Sequence, residues 1–166
     1  MKSIYMECSA GISDDEKYRY WLKRVWNKSL PQCTWIMLNP SVADSEQDDP
    51  TIRRCMSFAR NWGCGSIHVV NLFAYRATKP DDLREVDDPV GPENDYWIES
   101  QISLDCGPII AAWGSYTIIA NREREVREML VGSKVECLGL SASGKFPRHP
   151  LYVEGKTQPI PFPLGV

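Results

Sequence analysis

Histidine is scarce in this sequence: only His68 and His149 occur among 166 residues, which excludes a histidine-rich metal site. Cysteine is present but never closely paired. Cys8, Cys33, Cys55, Cys64, Cys106 and Cys137 show no C-x-x-C or similar short spacing. They read as free thiols packed as small apolar side chains in a reducing compartment, not as zinc or iron–sulfur ligands. No apolar run approaches the ~20 residues of a membrane span. No N-terminal segment combines a charged start, an apolar middle and a small-residue cleavage site. A cytoplasmic protein with no membrane partner is therefore expected. Excess positive charge is also lacking. The net charge is −3 and the pI about 5.4, so a nucleic-acid partner would have to be met by a local basic face. Internal repeats and low-complexity blocks are absent as well.

What is present suits one domain, 1–166: a chain of 166 residues with 43% hydrophobic content can build a single core and is short for two. Thr34 to Leu38 is a short apolar run with aromatic and β-branched members, which reads as a buried strand. It runs into Asn39-Pro40-Ser41, where Pro40 forces Asn39 towards an extended backbone. Asp49-Pro50-Thr51 has the pattern of an N-cap followed by proline at the first helical position. Ile52, Cys55, Met56 and Ala59 continue at helical spacing until Gly63. Ser66 to Phe73, Pro108 to Gly114 and Lys134 to Leu138 read as further strands. Gly91 to Leu104 and Ile118 to Leu130 read as helices, with Pro80 to Leu83 a loop or short helix.

Ahead of these, Ser3 to Cys8 and Tyr18 to Trp26 suggest an N-terminal hairpin within about residues 1–30, turning at Gly11 to Asp15. Tyr18, Trp21, Leu22 and Val25 also match a helical face. The proline-bearing tail, about 153–166, is expected to be extended. Alternating strands and helices imply a three-layer α/β sandwich around a mainly parallel four-stranded sheet with an N-terminal β extension. In such sheets ligands gather beyond the carboxyl ends of the strands. Four segments should therefore meet there: Asn39 to Asp49, Asn71 to Thr78, Trp113 to Ser115, and Pro147 to Tyr152.

Leu38-Asn39-Pro40-Ser41 resembles the first motif of the uracil-DNA glycosylase superfamily, a strand ending in Gly-x-Asn-Pro or Gly-x-Asp-Pro. Val70-Asn71-Leu72 with Arg76-Ala77-Thr78 resembles its central strand and loop, and His149-Pro150-Leu151 its late His-Pro-Ser motif. Met37 stands in place of the usual glycine and Leu151 in place of the serine. From about Tyr18 to Tyr152 the chain also resembles a bacterial and phage family of domains of unknown function, DUF1643. The strings LNPSVAD, DDPTIRRC, VVNLFAYRAT, DPVGPEND, AAWG and PRHPLY carry that likeness.

The resemblance implies a uracil-DNA glycosylase-like fold and hydrolysis of an N-glycosidic bond. Asn39 would position the attacking water, Asn71 would read the base with Ser41 beside it, and His149 would contact the departing base. An amide is no useful base at neutral pH, so Asp44, Asp48 or Asp49 would supply the general base and the negative field; Asp44 is the leading candidate. Asp49 reads most simply as a helix N-cap. Phe73 and Tyr75 would offer stacking surfaces to the flipped nucleotide, with Leu151 or Tyr152 as a wedge. Arg53, Arg54, Arg76 and Arg148 would meet DNA phosphates.

The expected partner is DNA, double-stranded and carrying modified bases, bound by a monomer without metal or cofactor. A hypermodified pyrimidine of phage DNA, such as glucosylated hydroxymethylcytosine, is the substrate implied, with antiviral defence as the role. Three alternatives stand beside it: an N-glycosidase of free modified nucleotides, which suits the acidic pI; magnesium-assisted phosphoryl chemistry on the three aspartates; and a non-catalytic nucleic-acid-binding module. Arg122-Glu123-Arg124-Glu125 reads as a solvated helix face.

Overall fold

The computed structural model describes residues 5–41, 47–116 and 120–165. Its strands are β1 (Glu7–Ile12), β2 (Arg19–Val25), β3 (Gln32–Met37), β4 (Ser66–Asn71), β5 (Ile109–Ala111), β6 (Val135–Cys137) and β7 (Ile160–Pro161); its helices are α1 (Pro50–Asn61), α2 (Asn94–Ile102) and α3 (Ala120–Met129). The strands form one mixed sheet in the order β1-β2-β4-β3-β5-β6-β7. Parallel pairing joins β4, β3, β5 and β6. Antiparallel β2 and β1 extend the sheet beyond β4, and antiparallel β7 closes the other edge against β6.

This corrects the expected mainly parallel four-stranded sheet of the glycosylase type. The hairpin is not an appendage, because Leu22 to Val25 pair with Val69 to Ser66 and make β2 an integral strand. It also turns later than expected: β1 runs through Gly11, and Ser13 closes the turn by accepting at its hydroxyl the N–H of Tyr18. The helical alternative for Tyr18 to Trp26 is ruled out by the same pairing. At the far edge Pro161 needs no ladder N–H, which suits a two-residue edge strand, and neighbouring Phe162 buries its ring edge-on against Trp113.

β3 ends in the apolar run Trp35-Ile36-Met37 because both of its faces are covered there. Cys33, Trp35 and Met37 join one core with Ile52, Cys55, Met56, Phe58 and Ala59 of α1. Ile36 and Leu38 join the other with Ile98 of α2 and Val126 of α3. Asp49 caps α1 by accepting the N–H of Ile52 at 2.8 Å.

His68 on β4 is buried against Trp21, and its Nε2 has no partner among the described residues. Burial, reinforced by Lys23, lowers its pKa to about 4. The unfolded chain, at the ordinary value near 6.5, then binds more protons than the native state as the pH drops below that value, so stability falls with falling pH. Between pH 7 and pH 5 the loss attributable to His68 is expected to be roughly 2 kcal/mol. Urea denaturation at both pH values checks this, and His68→Leu should remove that increment of the slope.

Candidate active site

At the carboxyl ends of β3 and β4, on the α1 side, lies a cavity of about 170 Å³ lined by Arg19, Met37, Leu38, Asn39, Ser41, Asp49, Thr51, Ile52, Val69, Asn71, Ala77, Thr78, Pro80, Tyr116 and His149. Met37 and Val69 supply apolar lining, and the polar groups converge from five separate segments. Larger grooves exist, such as one of about 630 Å³ lined by Asp105, Gly107, Pro108 and Lys134. That groove sits at the opposite ends of β5 and β6, away from where open α/β sheets bind ligands.

Asn39 is held in one orientation. Its Nδ2 donates to Pro40 O and to Ala77 O, each at 3.0 Å, which leaves Oδ1 without a partner among the described residues. Pairing of the two strands continues past their ends, with Phe73 N–H donating to Leu38 O and Ala77 N–H to Pro40 O, so the loops that carry Asn39 and Thr78 are tied together. Asp49 uses Oδ1 for its cap and accepts from the Ser41 hydroxyl at Oδ2, 3.2 Å away. The cap thus fixes a carboxylate at the cavity wall.

Asn71 is 3% exposed, yet its side-chain amide makes no hydrogen bond within the described residues. The amide atoms are not sealed from solvent but face the cavity, where a ligand or water can meet them. Its backbone is clamped from behind. Asn94 of α2 donates from Nδ2 to Asn71 O (2.9 Å) and Leu72 O (3.0 Å), and Arg122 of α3 donates from Nε to Leu72 O at 2.7 Å. Arg122 also pairs with Asp95 and Glu125. Helices on the far face therefore hold the backbone from which the Asn71 side chain meets the cavity.

His149 accepts the Leu151 N–H at Nδ1 (3.2 Å), so its proton resides on Nε2 in the neutral form. Burial lowers its pKa, opposed by the charge of Asp49, which keeps the ring neutral at neutral pH. Arg54 of α1 steadies this segment by donating to Pro150 O and Val153 O while lying over the Phe58 ring. Gly114, at φ +76°, donates its N–H to Pro147 O and brings the loop after β5 against the same segment. Leu151 and Tyr152 project outwards, 44% and 76% exposed, directly after His149.

Residues 19–151 match the family described as Protein of unknown function (DUF1643). The chain belongs to this family. Every residue that lines the cavity falls within the matched span of the DUF1643 domain. No curated protein and no solved structure matches the chain.

Within the DUF1643 domain the cavity gathers Asn39, Ser41, Asn71 and His149 from the residues singled out in the sequence. Asp44 lies outside the described residues. Asp48 is directed elsewhere, accepting from Arg24 Nε at 2.9 Å and from the Tyr5 hydroxyl, whose pKa is raised to about 12 by burial and by that carboxylate. Among the described residues the acid at the cavity is Asp49, whose cap uses Oδ1 and leaves Oδ2 to Ser41.

Phe73 and Tyr75 are not brought to the cavity. Phe73 is buried in the core, and Tyr75 packs edge-on against Tyr18. Arg54 spends its donors on backbone carbonyls, and Arg76 bonds Glu16 O. Arg53 and Arg148 are exposed, and Arg53 also reaches Asp48 O. Arg122 and Glu123, read from sequence as solvated, are 5% and 6% exposed; only Arg124 and Glu125 of that group face water.

Two cavity residues went unnoticed in the sequence. Tyr116, 45% exposed, stands at the rim where an aromatic surface was sought. Arg19 is 5% exposed, and burial lowers its pKa to about 10 against the raising influence of Asp49, so it stays charged at neutral pH. No local pattern marks either residue. Among the described residues no group of three His, Cys, Asp or Glu side chains is gathered in metal-binding fashion, and no helix is long and apolar enough to cross a membrane.

Proposed function

We propose that this protein is a DNA glycosylase that flips a modified base into the cavity and hydrolyses its bond to deoxyribose, leaving an abasic site. The observation that carries the reading is Asn71: its side-chain amide, at the cavity, sets a donor group and an acceptor group side by side, neither bonded to a described residue, as edge-on reading of a base requires. Asn39 Oδ1 orients the attacking water. Asp49 takes the water's proton and places negative charge near the oxocarbenium-like sugar. Neutral His149 donates from Nε2 to the departing base as the glycosidic electron pair moves onto it. Tyr116 offers the stacking surface, and Leu151 and Tyr152 fill the gap left in the duplex.

The cavity volume of about 170 Å³ is below the ~300 Å³ lower end of drug-sized sites, so it suits a single base ring. A bulky substituent, as on a glucosylated hydroxymethylcytosine, would extend past the rim at Thr78 and Tyr116. Exposed Arg53 and Arg148 form the phosphate-facing side in this reading, and removal of modified bases from phage DNA in antiviral defence is the biological role it implies.

Incubation with phage DNA carrying modified bases and with uracil-containing duplex, followed by alkaline strand scission and mass spectrometry of released bases, tests the proposal. Abasic sites and one released base are expected; the absence of both on every DNA tried would overturn it. The net charge of −3 favours a second reading, N-glycosidase action on free modified nucleotides. Hydrolysis of mononucleotide in preference to duplex and single strand would select it.

A further inference from the structure

Arg19 lines the cavity but has no part in the chemistry proposed above. Its guanidinium makes no hydrogen bond or ion pair among the described residues, and its Nε is buried without an acceptor. Other buried arginines of this chain are treated differently. Arg24 pairs with Asp48 and donates to Lys23 O, and Arg122 pairs with Asp95 and Glu125 and donates to Leu72 O. Burying a guanidinium with no hydrogen-bonded partner is unfavourable, and the charge of Asp49 offsets that only in part. It persists here beside an open cavity and next to a second unpartnered side chain, Asn71.

We infer that Arg19 determines ligand specificity: the cavity takes a planar heterocycle whose acceptor-only edge carries negative charge and lies against the Arg19 guanidinium, while Asn71 reads the adjoining edge. Arg19 offers donors alone, so the edge that meets it must accept, and a charged acceptor gains most in a site shielded from water. The Asp49 carboxylate disfavours a ligand that is anionic at both ends, so the charge belongs on the Arg19 side. Asp49 and Asn39 Oδ1 also disfavour a phosphate dianion, which has no donors for them, whereas a ring N–H satisfies either. The inference rests on the reading of the cavity as a base pocket and adds a preference for charge that the sequence motifs do not contain.

Calorimetric titration with barbiturate, a pyrimidine ring that is anionic at neutral pH, with uracil, its neutral counterpart of similar shape, and with inorganic phosphate tests it. Wild-type protein is expected to bind barbiturate about tenfold or more tighter than uracil, and phosphate not at all. Arg19→Met should lose that preference and melt about 3 °C or more higher, because a buried charge without a hydrogen-bonded partner has gone. A structural arginine would show the reverse shift. Arg19→Gln, which keeps a polar group, should lose the preference too and covers the case in which Arg19→Met fails to fold.

Equal binding of the two rings by wild-type protein, or a preference that survives in the variants, overturns the role of Arg19 and leaves the base pocket standing. Phosphate binding in place of the rings overturns it in favour of a backbone site. Failure of both rings to bind, together with no base release from DNA, overturns the pocket reading as well.

Discussion

Asp49→Asn is expected to fold as the wild type does and to release base about 10²-fold or more slowly. Asparagine caps helices about as well as aspartate, so the bond to Ile52 N–H survives and α1 keeps its start. The amide cannot accept a proton from water, and the negative charge beside the sugar is lost. Asp49→Ala should lose activity to the same degree and in addition about 1 kcal/mol of stability, the usual worth of a cap. Single-turnover base release alongside urea denaturation separates the two effects. Full activity of Asp49→Asn would move the base to another residue, with Asp44 the first to test.

Asn71→Leu is expected to behave in the opposite way to an ordinary core substitution. The amide bonds to none of the described residues and faces the cavity, so its removal takes no hydrogen bond from the fold and the melting temperature should not fall. Base release should drop by about 10²-fold or more, because the side chain that would pair with the flipped base is gone. Loss of stability without loss of activity would mean that Asn71 serves the fold and the cavity reads nothing through it. Asn94 and Arg122 hold the backbone of this segment independently of the Asn71 side chain, so the strand end stays in place in the variant.

The elements visible in the sequence were those whose signals are local. Thr34 to Leu38 announced a strand buried on both faces through its continuous apolar run, and Asp49-Pro50 announced the start of α1 through cap chemistry alone. Asn39, Ser41, Asn71 and His149 follow strand ends or sit in a proline-bounded loop, so placing them at one end of a sheet was within reach of pattern reasoning. The order of the sheet was not. β2 and β7 join it through pairings between Leu22 and Val69 and between Cys137 and Ile160, and nothing near those residues encodes the distant partner.

Side-chain commitments were equally hidden. Arg54 and Arg76 look like phosphate ligands in a sequence, but whether a guanidinium faces solvent or a backbone carbonyl is decided by tertiary contacts. Arg122 and Glu123 sit in a highly charged stretch whose helical face could be assigned only once Leu72 O and Trp113 Nε1 were seen against them. Arg19 escaped notice for the same reason, since Tyr18 to Val25 reads as an amphipathic strand or helix in which an arginine is unremarked.

The clasp that Arg54 forms on the two sides of the Pro150–Tyr152 turn bears on how the domain is delimited. Its second acceptor, Val153 O, lies beyond residue 151, where the family match stops, and so do β7 and Phe162. At the other end the match opens on Arg19 itself, leaving out β1, which pairs along most of β2. The span of shared sequence is thus narrower than the unit that folds. A fragment cut to 19–151 would expose the outer edges of β2 and β6 and remove one of the two carbonyls that Arg54 holds beside the imidazole, so inactivity of such a fragment would report broken scaffolding and not missing chemistry.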